Sequence, residues 1–145
     1  MSGVPIIVDG DNLLGTWPGR SRSDAERRRL AMQLSRLAAR ERRRVVTVFD
    51  GTGPPGSSFG ANVHFSGPGR TADELILELL RHEQDRRGWI IVTSDRSLGD
   101  QCRYLGARPE RCDLFRRRLA GEAGQEKPER EEEMDYWLEQ FGDDS

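Results

Sequence analysis

The chain has 145 residues, 34% hydrophobic and 33% charged, which suits one domain with one core of roughly three or four strands and a few helices. Its longest apolar runs, such as Ile6-Ile7-Val8, are far short of the about 20 residues of a transmembrane helix. The start, Met1-Ser2-Gly3-Val4-Pro5, carries no secretory pattern, so a cytoplasmic location and no membrane partner are expected.

The net charge of −2 conceals an asymmetry. Residues 1–121 hold 21 Arg and no Lys against 15 acidic residues, a net of +6; residues 122–145 hold Lys127 and Arg130 against 10 acidic residues, a net of −8. A cationic body with an acidic tail suits a polyanionic ligand. The near-exclusive use of arginine fits both a genome-composition bias and phosphate recognition. Two cysteines, Cys102 and Cys112, and two distant histidines, His64 and His82, supply neither a disulfide framework nor a zinc motif.

In chain order, Val4–Val8 is a short, nearly all-apolar run, as expected of a buried parallel strand. Residues 10–22 read as a loop. Ser23 followed by Glu26 is a capping box, and Leu30, Leu34, Leu37 and Ala38 then give one apolar helix face. Val45–Phe49 is the second strand. Residues 51–70 are rich in Gly and Pro and read as a loop, with a short strand at Ala61–Phe65. Thr71 and Glu74 form a second capping box, opening a helix that buries Ala72, Ile76, Leu79 and Leu80. Trp89–Thr93 is the third strand, Ser97–Leu105 a short helix, and a last core segment runs to about Leu119.

Strands alternating with helices predict an α/β, Rossmann-like three-layer fold with a central, mostly parallel sheet. The organisation expected is a domain over 1–121, then a linker and an acidic amphipathic helix within 122–145, where Met134, Trp137, Leu138 and Phe141 share one face. That helix either docks on its own domain, binds a partner, or competes with nucleic acid for the basic body.

The informative pattern is what ends each strand. The first runs into Asp9, the second into Asp50 and the third into Ser94-Asp95. Ligands of open parallel sheets bind at the carboxyl ends of the strands, so three aspartates share one rim. Asp73, in the first turn of the Thr71 helix, shares the inward face of Ile76 and Leu80; Asp100 is a further candidate. Crowded carboxylates resist ionisation unless a cation neutralises them. An all-oxygen donor set favours Mg²⁺ or Mn²⁺, which pair with phosphate oxygens and support phosphodiester hydrolysis. Each aspartate taken singly is also a common turn residue or helix cap.

Other readings of these motifs fare worse. Asp9-Gly10-Asp11 resembles a haloacid-dehalogenase-type phosphatase motif, but that chemistry needs a core lysine, and the one lysine is Lys127 in the tail. The same lack removes a receiver domain and a P-loop. Gly51-Thr52-Gly53-Pro54-Pro55-Gly56 matches a dinucleotide fingerprint in letters, yet two prolines delete two N–H donors and no helix pattern follows. Neither histidine has a Gly-x-Ser-x-Gly partner.

At Ile7-Val8-Asp9-Gly10-Asp11-Asn12-Leu13-Leu14 the sequence resembles the NYN domain family, a PIN-like nuclease branch, and most closely its YacP-like members. Val48-Phe49-Asp50-Gly51, Thr71-Ala72-Asp73-Glu74 and Val92-Thr93-Ser94-Asp95-Arg96 follow in the family's order, so the resemblance spans about residues 4–119. It implies a metal-dependent endoribonuclease. By resemblance Asp9, Asn12, Asp73 and Asp95 carry catalysis, with Asn12 orienting the site. Asp9, Asp73 and Asp95 would hold Mg²⁺ or Mn²⁺, with Asp50 in support. Ser94 and Arg96 flank the last aspartate, whereas Asp11 holds a variable position and receives no role.

RNA is the expected partner, met directly or delivered by a ribosome or another protein. Arg20, Arg22, Arg70 and Arg96 are expected near the strand ends, where arginine forks suit phosphate. Trp17 and Phe59, in rim loops, are candidates for base stacking, and Trp17 equally for a loop anchor. Arg27-Arg28-Arg29 and Arg116-Arg117-Arg118 read most simply as solvated helix faces. A non-catalytic RNA-binding adaptor and, behind it, a small-molecule phosphatase are the alternatives. The sequence does not specify an oligomeric state.

Overall fold

The computed structural model describes residues 3–54 and 59–124. The chain divides into two compact units, Met1–Phe115 and Arg116–Ser145. The first unit holds a five-stranded sheet with every pair parallel, in the order β3-β2-β1-β4-β5. Its strands are β1 (Ile6–Asp9), β2 (Val45–Phe49), β3 (Val63–Phe65), β4 (Ile90–Val92) and β5 (Arg108–Glu110). Helices α1 (Gly10–Gly15) and α2 (Asp24–Glu41) lie between β1 and β2, α3 (Ala72–His82) between β3 and β4, and α4 (Arg96–Tyr104) between β4 and β5. Among the described residues no helix separates β2 from β3, and α5 (Cys112–Gly124) follows β5 and runs past the boundary between the units. The expected α/β three-layer architecture is therefore present, and the sheet is wholly rather than mostly parallel.

Both capping boxes form at their amide-accepting side: the Ser23 hydroxyl accepts from Glu26 N and the Thr71 hydroxyl from Glu74 N, each at 3.2 Å. Alternation along the strands sends Ile7, Val46, Val48 and Ile91 to one face, where they pack with Ala72, Ile76, Leu77 and Leu80 of α3 and Leu98 and Cys102 of α4. Val45 and Thr47 point the other way and meet Ala31 and Leu34 of α2 across a small cleft. The strands β1 and β2 are buried end to end, which explains their continuous apolar sequence.

Three elements differ from the sequence expectation. Residues 10–15 are helical rather than loop, because α1 starts directly after Asp9 with no connecting turn. Arg108–Glu110 is a strand although Arg-Pro-Glu has no strand-like pattern; it lies at the sheet's edge, where a proline N–H is not needed. Helix α5 continues to Gly124, through the start of the expected linker. The acidic helix expected over Met134–Phe141 lies outside the described residues. Among the described residues no helix is long and apolar enough to cross a membrane.

Candidate active site

Parallel strands bring all their carboxyl ends to one rim. The chain steps from β1 outward through β2 to β3, then returns to place β4 on the other side of β1. The crevice beside β1 is thus the topological switch point, where open α/β sheets bind ligands. Asp9 is the last residue of β1 and stands there.

Asp9 occupies the N-cap position of α1, but its side chain makes no capping bond. Its carboxylate is only 4% exposed and accepts a hydrogen bond from the Thr93 hydroxyl at 3.1 Å. Burial pushes its pKa from 3.8 up to about 7; the Thr93 bond opposes this, and Asp73, Asp50 and Asp11 add repulsion. Asp73, half-buried in the first turn of α3, is also raised, first by burial and then by the charges of Asp95, Asp50 and Glu74. Four of the expected acids, Asp9, Asp50, Asp73 and Asp95, therefore lie within electrostatic reach of one another.

Asp50 and Asp95 also perform the structural task that aspartates after strands commonly perform. Asp50 Oδ1 accepts from Ala72 N at the start of α3, at 2.8 Å. Asp95 caps α4, with Oδ1 accepting from Leu98 N at 3.1 Å. Each cap fixes the direction in which its carboxyl group meets the rim. Asp100 is exposed on α4 and pairs with Arg103 at 3.1 Å.

Asn12 acts as a brace. Its Oδ1 accepts from Ser94 N at 2.7 Å and from the Cys112 thiol at 3.3 Å, joining α1 to the β4–α4 turn and to α5. The Ser94 hydroxyl accepts from Cys112 N at 3.0 Å. Thr93 completes the connection: it donates to Asp9 and accepts from Asp95 N at 3.1 Å, so one hydroxyl spaces two of the aspartates. Both thiols are buried and free. Cys102 is pushed up to about 12, mainly by burial and further by Asp73 and Asp9, which keeps it a neutral, inert thiol.

Asp11, given no role by sequence, is 2% exposed and holds a two-pronged ion pair with Arg27 at 2.8 and 2.9 Å. Its Oδ2 also accepts from Asp50 N at 2.8 Å. Arg27 lies over the Phe49 and Phe65 rings, 5.4 and 5.9 Å from their centroids. It is therefore an interior clamp and not part of a solvated face. Phe59 belongs to the same cluster, edge-on to Phe49 and Phe65 with Arg28 stacked on it. Gly10 is required by this packing: a Cβ there would fall 2.6 Å from Phe49 Cδ1.

The expected RNA-facing groups divide. Arg20 is bound to Glu26 at 2.6 Å and Gln33 at 2.8 Å, and it stacks on Trp17 at 4.4 Å, so both residues serve the α1–α2 loop. Arg70 pairs with Glu78. Ser94 and Arg96 are exposed beside Asp95. They line a groove of about 740 Å³ together with Thr93, Gly99, Asp100, Arg103, Pro109 and Arg111.

Among the described residues, no three acidic, histidine or cysteine side chains gather closely enough to hold a metal ion unaided. The donor chemistry still suits a hard divalent cation. The cluster is all-oxygen, and Asp9 and Asp73 are held back from ionisation by burial and mutual repulsion that a cation would relieve. Mg²⁺ commonly keeps several waters and takes only one or two protein carboxylates, so a complete protein cage is not required.

The family model of the YacP-like NYN domain matches residues 6–140. Among solved structures, Rae1 (YacP) from Bacillus subtilis is similar, at 20% identity over 94% of this chain and 82% of that one, with a TM-score of 0.70. A point mutant of the same protein aligns at 23% identity over 81% and 76%, with a TM-score of 0.69. At these identities the likeness shows the shared fold. No curated protein matches this chain.

Proposed function

The chain belongs to the YacP-like NYN domain family, a PIN-like ribonuclease family, and on that premise we propose that it is a metal-dependent endoribonuclease. The observation that carries the reading is Asp9: a carboxylate buried at the switch point, unused as a cap, and pushed up to about 7 among other aspartates. Such a perturbed group in a crevice marks a functional site better than a structural one.

In this reading Asp9, Asp73 and Asp95 hold Mg²⁺ or Mn²⁺, and Asp50 supports them. The bound cation supplies a lowered pKa for an attacking water and charge stabilisation for the phosphate. The chain's own groups set the geometry. Thr93 holds the Asp9 carboxylate and the Asp95 backbone at a fixed spacing. Asn12 fixes the turn that carries Asp95. The Asp11–Arg27 pair anchors the backbone at Asp50. Arg96 and Ser94 meet the substrate beside Asp95. RNA is the proposed substrate and the cytoplasm the proposed location.

The test is cleavage of an end-labelled single-stranded RNA by the full chain, with Mn²⁺ or with chelator. Metal-dependent internal cuts, lost in Asp9→Asn, are expected. RNA binding without cleavage in any divalent metal would support the adaptor reading instead. Hydrolysis of nitrophenyl phosphate without RNA cleavage would favour a phosphatase.

A further inference from the structure

The groove beside Asp95 is not explained by the aspartate cluster alone. It runs between α4 and β5, and its lining joins residues far apart in sequence: Arg96 opens α4, Arg103 lies in its last turn, and Arg111 follows β5. Gly99 of α4 packs directly on Pro109 of β5 at the floor of the groove. The volume, about 740 Å³, is within the range of sites for small organic ligands, and so suits one or two nucleotide units.

Its charge is specific. Three arginines line it with two carboxylates, Asp95 and Asp100, and a third carboxylate, Asp113, stands beside Arg111. Arg96 makes no ion pair among the described residues, Arg103 pairs with the exposed Asp100 at 3.1 Å, and the exposed Arg111 side chain stands 3.4 Å from the half-buried Asp113. An exposed pair such as Arg103–Asp100 contributes little to stability, so there a phosphate oxygen exchanges for the carboxylate at little cost. The remaining lining residues, Thr93, Ser94, Gly99 and Pro109, are small, and no aromatic ring stands among them for base stacking.

We infer that this groove is the track for the RNA backbone leading away from the scissile position. In it Arg96, Arg103 and Arg111 hold successive phosphates of a single strand without reading bases. The inference rests on the ribonuclease reading and deepens it by naming where the strand runs and what recognises it. Phosphate contacts position a nucleic acid and make its affinity salt-dependent, whereas base edges and stacking carry sequence.

The experiment measures binding and cleavage of fluorescent single-stranded oligoribonucleotides of several sequences by the full chain, across a salt series. Arg103→Ala/Arg111→Ala is compared with wild type and with Arg103→Lys/Arg111→Lys. The expected result is affinity lowered about tenfold or more and to the same degree for every sequence. The salt slope should be shallower by about one to two contacts, with substantial rescue by the lysine pair. Unchanged affinity and salt slope in Arg103→Ala/Arg111→Ala, beside a wild type that cleaves RNA, would overturn the groove alone. A loss confined to one sequence would overturn the backbone-only assignment. A wild type that neither binds nor cleaves RNA would overturn the ribonuclease reading and the groove with it.

Discussion

The two flanks of the sheet's rim use the same residue types to opposite ends. On the β2–β3 side, Arg27 is folded inward against Asp11 and two phenylalanine rings, and the pair holds the backbone at Asp50. On the β4–β5 side, Arg96, Arg103 and Arg111 stand exposed at the edge of an open groove: Arg103 pairs with the exposed Asp100, Arg111 with the half-buried Asp113, and Arg96 with no carboxylate among the described residues. An arginine whose partner is buried is committed to the fold, because removing one member of a buried pair strands the other. An arginine whose partner is solvated remains available for exchange. The count of arginines therefore says little about phosphate binding until each partner's burial is known.

The carboxylates divide in the same way. Asp11 is neutralised by its guanidinium. Asp9, equally buried, faces Thr93 and other acids, and burial with their repulsion pushes it up to about 7. One buried aspartate has a guanidinium partner, and its neighbour two residues away has none and is the proposed cation ligand.

The sharpest way to break this contrast is at Asp9. Asp9→Asn is expected to lower RNA cleavage by about a thousandfold or more, about 4 kcal/mol in activation free energy, with the circular dichroism spectrum unchanged. The same variant has a stability signature. The folded pKa of about 7 lies above the unfolded 3.8, so the folded chain keeps a proton that the unfolded chain releases. Without divalent metal, Asp9's contribution to stability is complete below about pH 4 and declines as pH rises through 7. Urea denaturation at pH 5 and pH 8 should show a fall for wild type that Asp9→Asn reduces.

Arg27→Ala comes next. It leaves Asp11 buried without its charge partner and should cost about 3–5 kcal/mol in denaturant midpoint analysis. Gly10→Ala, which forces a methyl group toward Phe49, should cost about 1–3 kcal/mol. Arg111→Ala is the smallest in stability, within about 0.5 kcal/mol, since the side chain is largely exposed. A large stability loss at Arg111, or none at Arg27, would erase the distinction between the flanks.

What the sequence reveals of this molecule is local. The two capping boxes and β2 are readable because a few adjacent residues determine them. The placement of Asp9, Asp50 and Asp95 on one rim is readable because it requires only that the strands be parallel. Helix α1 is hidden because Asp9-Gly10-Asp11 is composed like a turn, although Gly10 is demanded by Phe49. Strand β5 is hidden because an edge strand tolerates Arg-Pro-Glu. Within Arg27-Arg28-Arg29 nothing local marks Arg27; its partner Asp11 is 16 residues earlier. Arg20 and Trp17 likewise find each other and Glu26 through the loop's tertiary path. The groove unites residues 96, 103 and 111 only after α4 has packed on β5.

The central claim, that the aspartates of the rim hold a catalytic cation, is tested most directly by a crystal structure of the full chain grown with Mn²⁺ and read by anomalous scattering. The account predicts manganese bound through Asp9, at oxygen–metal distances of about 2.1 Å or through one water, with Asp73 and Asp95 around it. Carboxylates more than about 8 Å apart, with no manganese between them, would contradict it.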